Sequence, residues 1–264
     1  MQAILGYTSE AKRLRHARAH LRHLFPYLPQ QPGYNKRLRK AAGLMRSVNQ
    51  ILATTTSVWS DDVWGVDSTP VECGRSRETV KRSDLAGWAE YGYCASHSRF
   101  FRGLRLHLVC TLQGLPIAFA LTGVKADERE TLLDLLAAEC ELLRERPDRL
   151  SSATRTTSAV VSNANCPSME SSCCGRPART GEREGRPGVT LFKPLRQVIE
   201  LINETFKGQL DLERRRGRIP GGVMARVMQR ILALTAAIWH NDATVQTVLP
   251  SLIAYDHCPL GQII

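Results

Sequence analysis

Two acids in this chain stand in settings that suit metal chemistry. Asp67 follows the apolar run Val63-Trp64-Gly65-Val66 and precedes Ser68-Thr69-Pro70. A carboxylate that closes a short buried strand has two readings, a metal ligand or a cap on the following turn. Glu200 sits between two cations, with Arg196, Glu200 and Lys207 spaced R-x3-E-x6-K. Arg196 and Glu200 are i,i+4 and share a helical face, and Lys207 is predicted two turns further along it. An acid between cations suits a metal ligand beside DNA phosphates, and the same spacing also makes an ordinary surface ion pair. Phosphoryl transfer on DNA by bound metal ions needs hard oxygen ligands from separate elements, and Asp67 with Glu200 would supply two of them.

The charge distribution points the same way. The 264-residue chain carries a net charge of +11. Residues 1–60 hold ten Lys and Arg (Lys12, Arg13, Arg15, Arg18, Arg22, Lys36, Arg37, Arg39, Lys40, Arg46) against the single acid Glu10. Positive charge concentrated in this way favours a polyanion, and DNA is the expected partner. A solvated basic face without a partner is the competing reading. The eight cysteines include no C-x-x-C pair, so a shared metal is not indicated, and without a secretory signal a disulfide framework is not expected. His16, His20 and His23 could share a helical face, but Arg15, Arg18 and Arg22 among them disfavour a metal. The first residues are too short an apolar stretch for an export signal, and no apolar run reaches membrane length. A cytoplasmic protein with no membrane partner is expected.

The elements that would position these residues follow from periodicity. Helical spacing runs from Glu10 to Leu28, and a second basic helix is predicted from Tyr34 to Ala53. Residues 1–60 thus read as a small helical, DNA-facing region, and residues 61–257 as the body of the protein. A strand is predicted to end at Asp67, followed by a basic, aromatic-spotted loop from Arg75 to Arg102. Leu104–Leu112 and Leu115–Leu121 read as strands joined by a turn at Gln113-Gly114, and Asp127–Arg146 as a helix stopped by Pro147. Strand, hairpin, helix is the opening order of an α/β, RNase H-like mixed sheet flanked by helices. Residues 151–190 contain no Leu, Ile, Phe, Trp or Tyr, so 151–188 is expected to be irregular or disordered and the sheet incomplete. Helices are predicted again over Pro194–Leu210 and Val223–Trp239, on either side of the basic loop Arg214-Arg215-Arg216-Gly217-Arg218.

These motifs resemble the DDE transposases of bacterial insertion sequences, most closely the 982 group. The resemblance is carried by Val66-Asp67-Ser68-Thr69-Pro70-Val71, by Gly103-Leu104-Arg105-Leu106-His107-Leu108, and by Arg196, Glu200 and Lys207 in a Y-x2-R-x3-E-x6-K signature. It covers roughly residues 10–149 and 187–257; Lys193 stands where the signature has tyrosine, and the N-terminal region is short against the family. The resemblance implies that Asp67 and Glu200 are catalytic ligands of Mg2+ or Mn2+. It implies that Arg196 and Lys207 hold DNA near the scissile phosphate. Arg105 on the matching strand, and Arg18, Arg22, Lys36 and Arg37 on the basic helices, are further expected DNA contacts. A homodimer on paired terminal inverted repeats is the implied assembly.

The family's second aspartate, on a strand ending Gly/Ala-Asp-Lys-x-Tyr, has no counterpart here. Asp127 and Asp148 are the nearest acids, and neither is predicted at a strand end. If the codons of residues 152–159 are read one base early, suitable third bases give Gly-Asp-Lys-Asn-Tyr-Phe-Gly, with the aspartate at the Ala153–Thr154 junction. Continuing to Pro177 gives an amphipathic helix, a turn and a strand. A frameshift entering near Leu150 and leaving between Arg176 and Arg186 is therefore expected. Sequencing the gene tests it: codons 152–177 should encode those residues in the neighbouring frame, and any other translation there removes the hypothesis.

Overall fold

The structure, a computed structural model, describes residues 2–7, 9–61, 63–74, 84–85, 87–94, 98–139, 150–153, 160–162, 189–212 and 219–252. Three helices open the chain, α1 (Glu10–His20), α2 (Gln31–Lys40) and α3 (Ala42–Thr54), followed by a 3₁₀ turn over Ser57–Ser60. The sheet comprises β1 (Val63–Gly74), β2 (Glu90–Cys94), β3 (Arg99–Thr111), β4 (Pro116–Gly123), β5 (Leu150–Ala153) and β6 (Val160–Ser162). Helix α4 (Glu128–Ala138) follows β4, and α5 (Val189–Glu204), a π turn over Thr205–Gln209 and α6 (Pro220–Ala243) complete the described elements.

The centre of the sheet is the antiparallel pairing of β1 with β3, which runs from Trp64↔Thr111 to Gly74↔Arg102. β4 and β2 share the other edge of β3, β4 pairing residues 104–110 and β2 residues 99–103. β5 lies parallel to β1, with Val63 opposite Leu150 and Val66 opposite Ala153, and β6 returns antiparallel beside it. Alternation then divides the side chains between two faces. Trp64, Val66, Val109 and Ala118 pack against Leu132, Leu135 and Leu136 of α4. Val71, Leu104, Leu106, Leu108 and Cys110 pack on the other side against Ile202 and Phe206 and against Val223, Val227, Ile231, Leu234 and Ile238 of α6. This mixed sheet with helices on both faces is consistent with the RNase H-like α/β fold expected.

Several boundaries differ from the sequence reading. α1 stops at His20 instead of Leu28, upstream of Pro26, which cannot continue a helix. The single helix expected over Tyr34–Ala53 is two, broken at Ala41. β1 continues seven residues past Asp67. Beyond Val66 its β5 edge is uncovered among the described residues, a setting that tolerates Pro70 within a strand. α4 starts where expected, with Asp127 as N-cap accepting from the backbone N–H groups of Arg129 and Glu130; its predicted continuation over 140–146 lies outside the described residues. Within the stretch expected to be irregular, β5 and β6 extend the sheet. Backbone pairing along an open strand edge does not depend on side-chain type, so a serine-rich segment can satisfy it. Residues 154–159 and 163–188 lie outside the described residues, as does the basic loop 214–218.

The N-terminal helices attach to the same core, to which Ala53, Val58 and Trp59 contribute. Glu10, at the first position of α1, accepts from Arg226 Nε at 3.0 Å and Nη2 at 2.5 Å. The Arg13 guanidinium lies 4.2 Å from the Tyr34 ring centroid and joins α1 to α2. Ser57 donates through its backbone N–H and hydroxyl to Asp242 at the end of α6. α6 has the length and apolarity of a membrane span, but its apolar side packs into the protein core.

The close approach of β1 and β3 requires glycine at position 103, where a Cβ would collide with the Val71 carbonyl oxygen. Gly103→Ala is therefore expected to cost about 1–3 kcal/mol of stability. Urea denaturation followed by circular dichroism measures it, and a midpoint equal to wild type would contradict the pairing.

Candidate functional site

Asp67 occupies the middle of β1, not its end as predicted. The strand's continuation to Gly74 leaves no turn for it to cap, which removes the structural alternative raised by the sequence. Its carboxylate is half-buried on the α5 side of the sheet, where Asn203 Nδ2 donates to Oδ2 at 2.7 Å. Thr69, two residues on and on the same face, is buried, and its hydroxyl has no partner among the described residues. Cys110 lies on this side as well. Burial, and then the negative charge of Asp67, push its thiol pKa well up, so it stays protonated.

Ile199, Ile202 and Phe206 form the buried stripe that lays α5 on the sheet. Asn203 lies on one flank of that stripe, and its contact with Asp67 fixes which flank adjoins β1. Glu200 is exposed one turn before Asn203, about 60° further round the helix by the 3.6-residue repeat. Arg196 is one turn earlier again on α5. Lys207 is half-buried within the π turn, where Leu210 N–H donates to Thr205 O. That wider turn moves Lys207 off the α-helical register on which the shared face with Glu200 was predicted. Arg230 of α6 holds the end of the turn, donating to the carbonyls of Leu210 at 2.6 Å and Asp211 at 3.2 Å.

The opposite face carries a second polar group that the sequence did not single out. Glu128, at the start of α4, accepts from Ser68 Oγ at 2.6 Å and from Arg105 Nη1 at 2.5 Å. Arg105, an expected DNA contact, is thus engaged with a carboxylate on the α4 side. His107 beside it is buried, with Nε2 2.9 Å from Thr122 Oγ1. Burial lowers its pKa to about 4, against the opposing pull of Glu128 and with a smaller lowering from Arg105.

Of the expected DNA contacts on the helices, Arg22, Lys36 and Arg37 are exposed, and Arg37 lies 5.4 Å from the Tyr27 ring centroid. Arg18 is half-buried and ties α1 to the next segment, donating to Pro29 O and Gln30 Oε1. His16 and His20 stack at 4.7 Å between ring centroids. Sequence reasoning missed Asn203 and Glu128. An asparagine inside a helix, where it is a poor former, three residues after a candidate ligand was the available signal for the first.

Residues 59–150 match a family described as a transposase DDE domain. Over that stretch the chain is similar to DDE transposases. The match spans about a third of the chain and includes Asp67, all of β1 to β4, and α4. No curated protein and no solved structure gives a match. The transposase-like stretch ends at Leu150, the first residue of β5, ahead of Glu200.

His107 provides a pH test of this packing. Its pKa is about 4 in the fold and near 6.5 in an unfolded chain. Above pH 6.5 both states are neutral. As pH falls from 6.5 towards 4 only the unfolded state takes up the proton, so stability is lost across that window. Urea midpoints measured from pH 7.5 to 4 should fall less steeply for His107→Gln than for wild type; parallel slopes would show that the histidine is not held neutral.

Proposed function

We propose that this chain has the frame of an insertion-sequence transposase, which performs metal-dependent DNA cleavage and strand transfer at element ends, and that it is impaired by loss of the second catalytic aspartate. The observation that carries this reading is the Asn203–Asp67 contact, which sets the Glu200-bearing flank of α5 beside β1 in a chain whose β1 to α4 stretch matches the transposase DDE domain. In this reading Asp67 and Glu200 are the two surviving catalytic carboxylates. Arg196 and Lys207 hold the DNA backbone, and Arg18, Arg22, Lys36, Arg37 and Arg105 bind further along it.

The pairing of Val66 with Ala153 supports the lost-aspartate part. The family's second aspartate ends a strand that follows the helix after the hairpin, which is the chain position of β5. The residue paired here is Ala153, and in sequence the Ala153–Thr154 junction is where suitable third bases in the neighbouring reading frame would give aspartate. Frameshifting within the gene of a 982-group element is therefore part of the proposal.

Asp67 and Glu200 are hard oxygen donors of the kind that bind Mg2+ or Mn2+. Among the described residues, however, no group of three His, Cys, Asp or Glu comes together. Within those residues the donor set falls short of a two-ion centre. When bound, such ions would activate the attacking oxygen and neutralise the leaving one. The chain's own groups position β1 against α5 and present cations to a DNA backbone. A second reading is a non-catalytic remnant that occupies insertion-sequence ends through its basic helices, which present Arg22, Lys36 and Arg37 to solvent.

Nicking of a labelled terminal inverted repeat in Mg2+ separates the two. Under the first reading the chain nicks weakly, Asp67→Ala and Glu200→Ala abolish nicking, and restoring aspartate in the corrected frame raises it by orders of magnitude. Nicking that survives both alanine substitutions would sink the site assignment. In gel shifts against salt, Arg22→Ala, Lys36→Ala and Arg37→Ala should each weaken binding and reduce the salt slope by about one for every phosphate that the side chain neutralises. Unchanged slopes would remove the basic helices from the interface.

A further inference from the structure

The β2–β3 ribbon carries an exposed aromatic face that the Asp67 site does not use. Tyr91 pairs with Arg102 and Tyr93 with Phe100 across the two strands. Strand alternation puts these four side chains on one face and Glu90, Gly92 and Phe101 on the other. The second face is closed: Phe101 packs with Val124, a Cβ on Gly92 would collide with Val124, and Glu90 accepts from the Lys125 backbone N–H. The first face is open, with Phe100 79% exposed and Tyr91 and Tyr93 each 50% exposed.

The rings are ordered among themselves. Tyr93 and Phe100 lie 5.1 Å apart between centroids, tilted by 58°. The Arg102 guanidinium lies 5.6 Å from the Tyr91 ring centroid and is held there by donation from Nε to Ala89 O at 3.1 Å. Successive same-face positions along a strand are about 7 Å apart, so the ribbon presents two neighbouring aromatic stations with a cation beside one of them. The surrounding sequence supplies charge complementarity, since residues 75–102 hold six Lys and Arg against three acids. Glu90, one of those acids, belongs to the opposite face.

Aromatic rings interleaved with guanidinium on an open strand face bind unpaired bases, because every base has a π-face and the cation accompanies its phosphate. Paired bases inside a duplex offer no such face. We propose that the Tyr91–Tyr93–Phe100–Arg102 face is a stacking platform for single-stranded DNA, separate from the basic helices that meet duplex. The proposal rests on the reading of this chain as a DNA-binding transposase and adds an unpaired segment of that DNA as ligand.

The test is fluorescence anisotropy with the full chain, using an oligothymidylate of about 12 nucleotides, within the usual site size of such surfaces, and a duplex of the same length at fixed salt. Tyr93→Ala and Phe100→Ala should each weaken oligothymidylate binding by roughly tenfold, the effect of removing one stacked base. Phe100→Trp should retain it, and duplex affinity should stay at the wild-type level in all three. Oligothymidylate affinity that is unchanged in both alanine variants overturns the platform, as does a loss that duplex affinity shares. Wild-type protein that binds duplex and ignores the oligothymidylate overturns this proposal alone; protein that binds neither overturns the DNA reading with it. A sedimentation coefficient altered by Phe100→Ala, with single-strand affinity intact, would assign the patch to a second copy of the chain and likewise overturn it.

Discussion

The register of β1 against β3 is the constraint on which the remaining geometry depends. Because strand side chains alternate, a slip of one residue would exchange every position between the two faces of the sheet. With Asp67 opposite Leu108 and Ser68 opposite His107, Asp67 faces α5 and Ser68 faces Glu128 of α4. The apolar set enforces that choice. Val71, Leu104 and Leu106 are fully buried on the α5 and α6 side, while Trp64, Val66 and Val109 fill the α4 side. Gly103 lets the two backbones approach closely enough to hold the pairing.

The second constraint is the seat of α5. Its buried stripe supplies the free energy, but the stripe alone would allow the helix to rotate or slide. Asn203 on Asp67 fixes rotation, and the π turn with Arg230 on its last carbonyls fixes the end. Arg226, one turn earlier on α6, reaches Glu10, so the helix that closes the core also carries the basic N-terminal helices. Electrostatics and packing are thereby coupled, because α6 supports both the cationic helices and the layer that seats α5 on the carboxylate strand.

Polar groups on the two faces of the sheet have different fates. On the α4 side Ser68, Arg105, Glu128, His107 and Thr122 largely satisfy one another, which fits a packed layer where an unpaired polar group would be costly. On the α5 side Asp67 accepts from Asn203, and Thr69 keeps an unpartnered hydroxyl among the described residues.

The sequence by itself determined much of the order of elements, because period-2 and period-3.6 apolar patterns survive in β1, β3, β4, α4, α5 and α6, but it read β2 and the start of β3 as part of a loop. It also singled out Asp67 and Glu200 and located the basic helices, since composition and spacing are local properties. Boundaries set by tertiary neighbours were not legible: β1 runs on past Asp67 because β3 offers partners to Gly74. Only the tertiary structure decided that Arg105 turns to Glu128 and that Asn203, unremarkable in the sequence, meets Asp67 from 136 positions away. The same holds for β5, which the composition of residues 151–153 offered no reason to expect. Its pairing comes from the open backbone edge of β1, and a strand's edge is a property of its neighbours in space, not of its own residues.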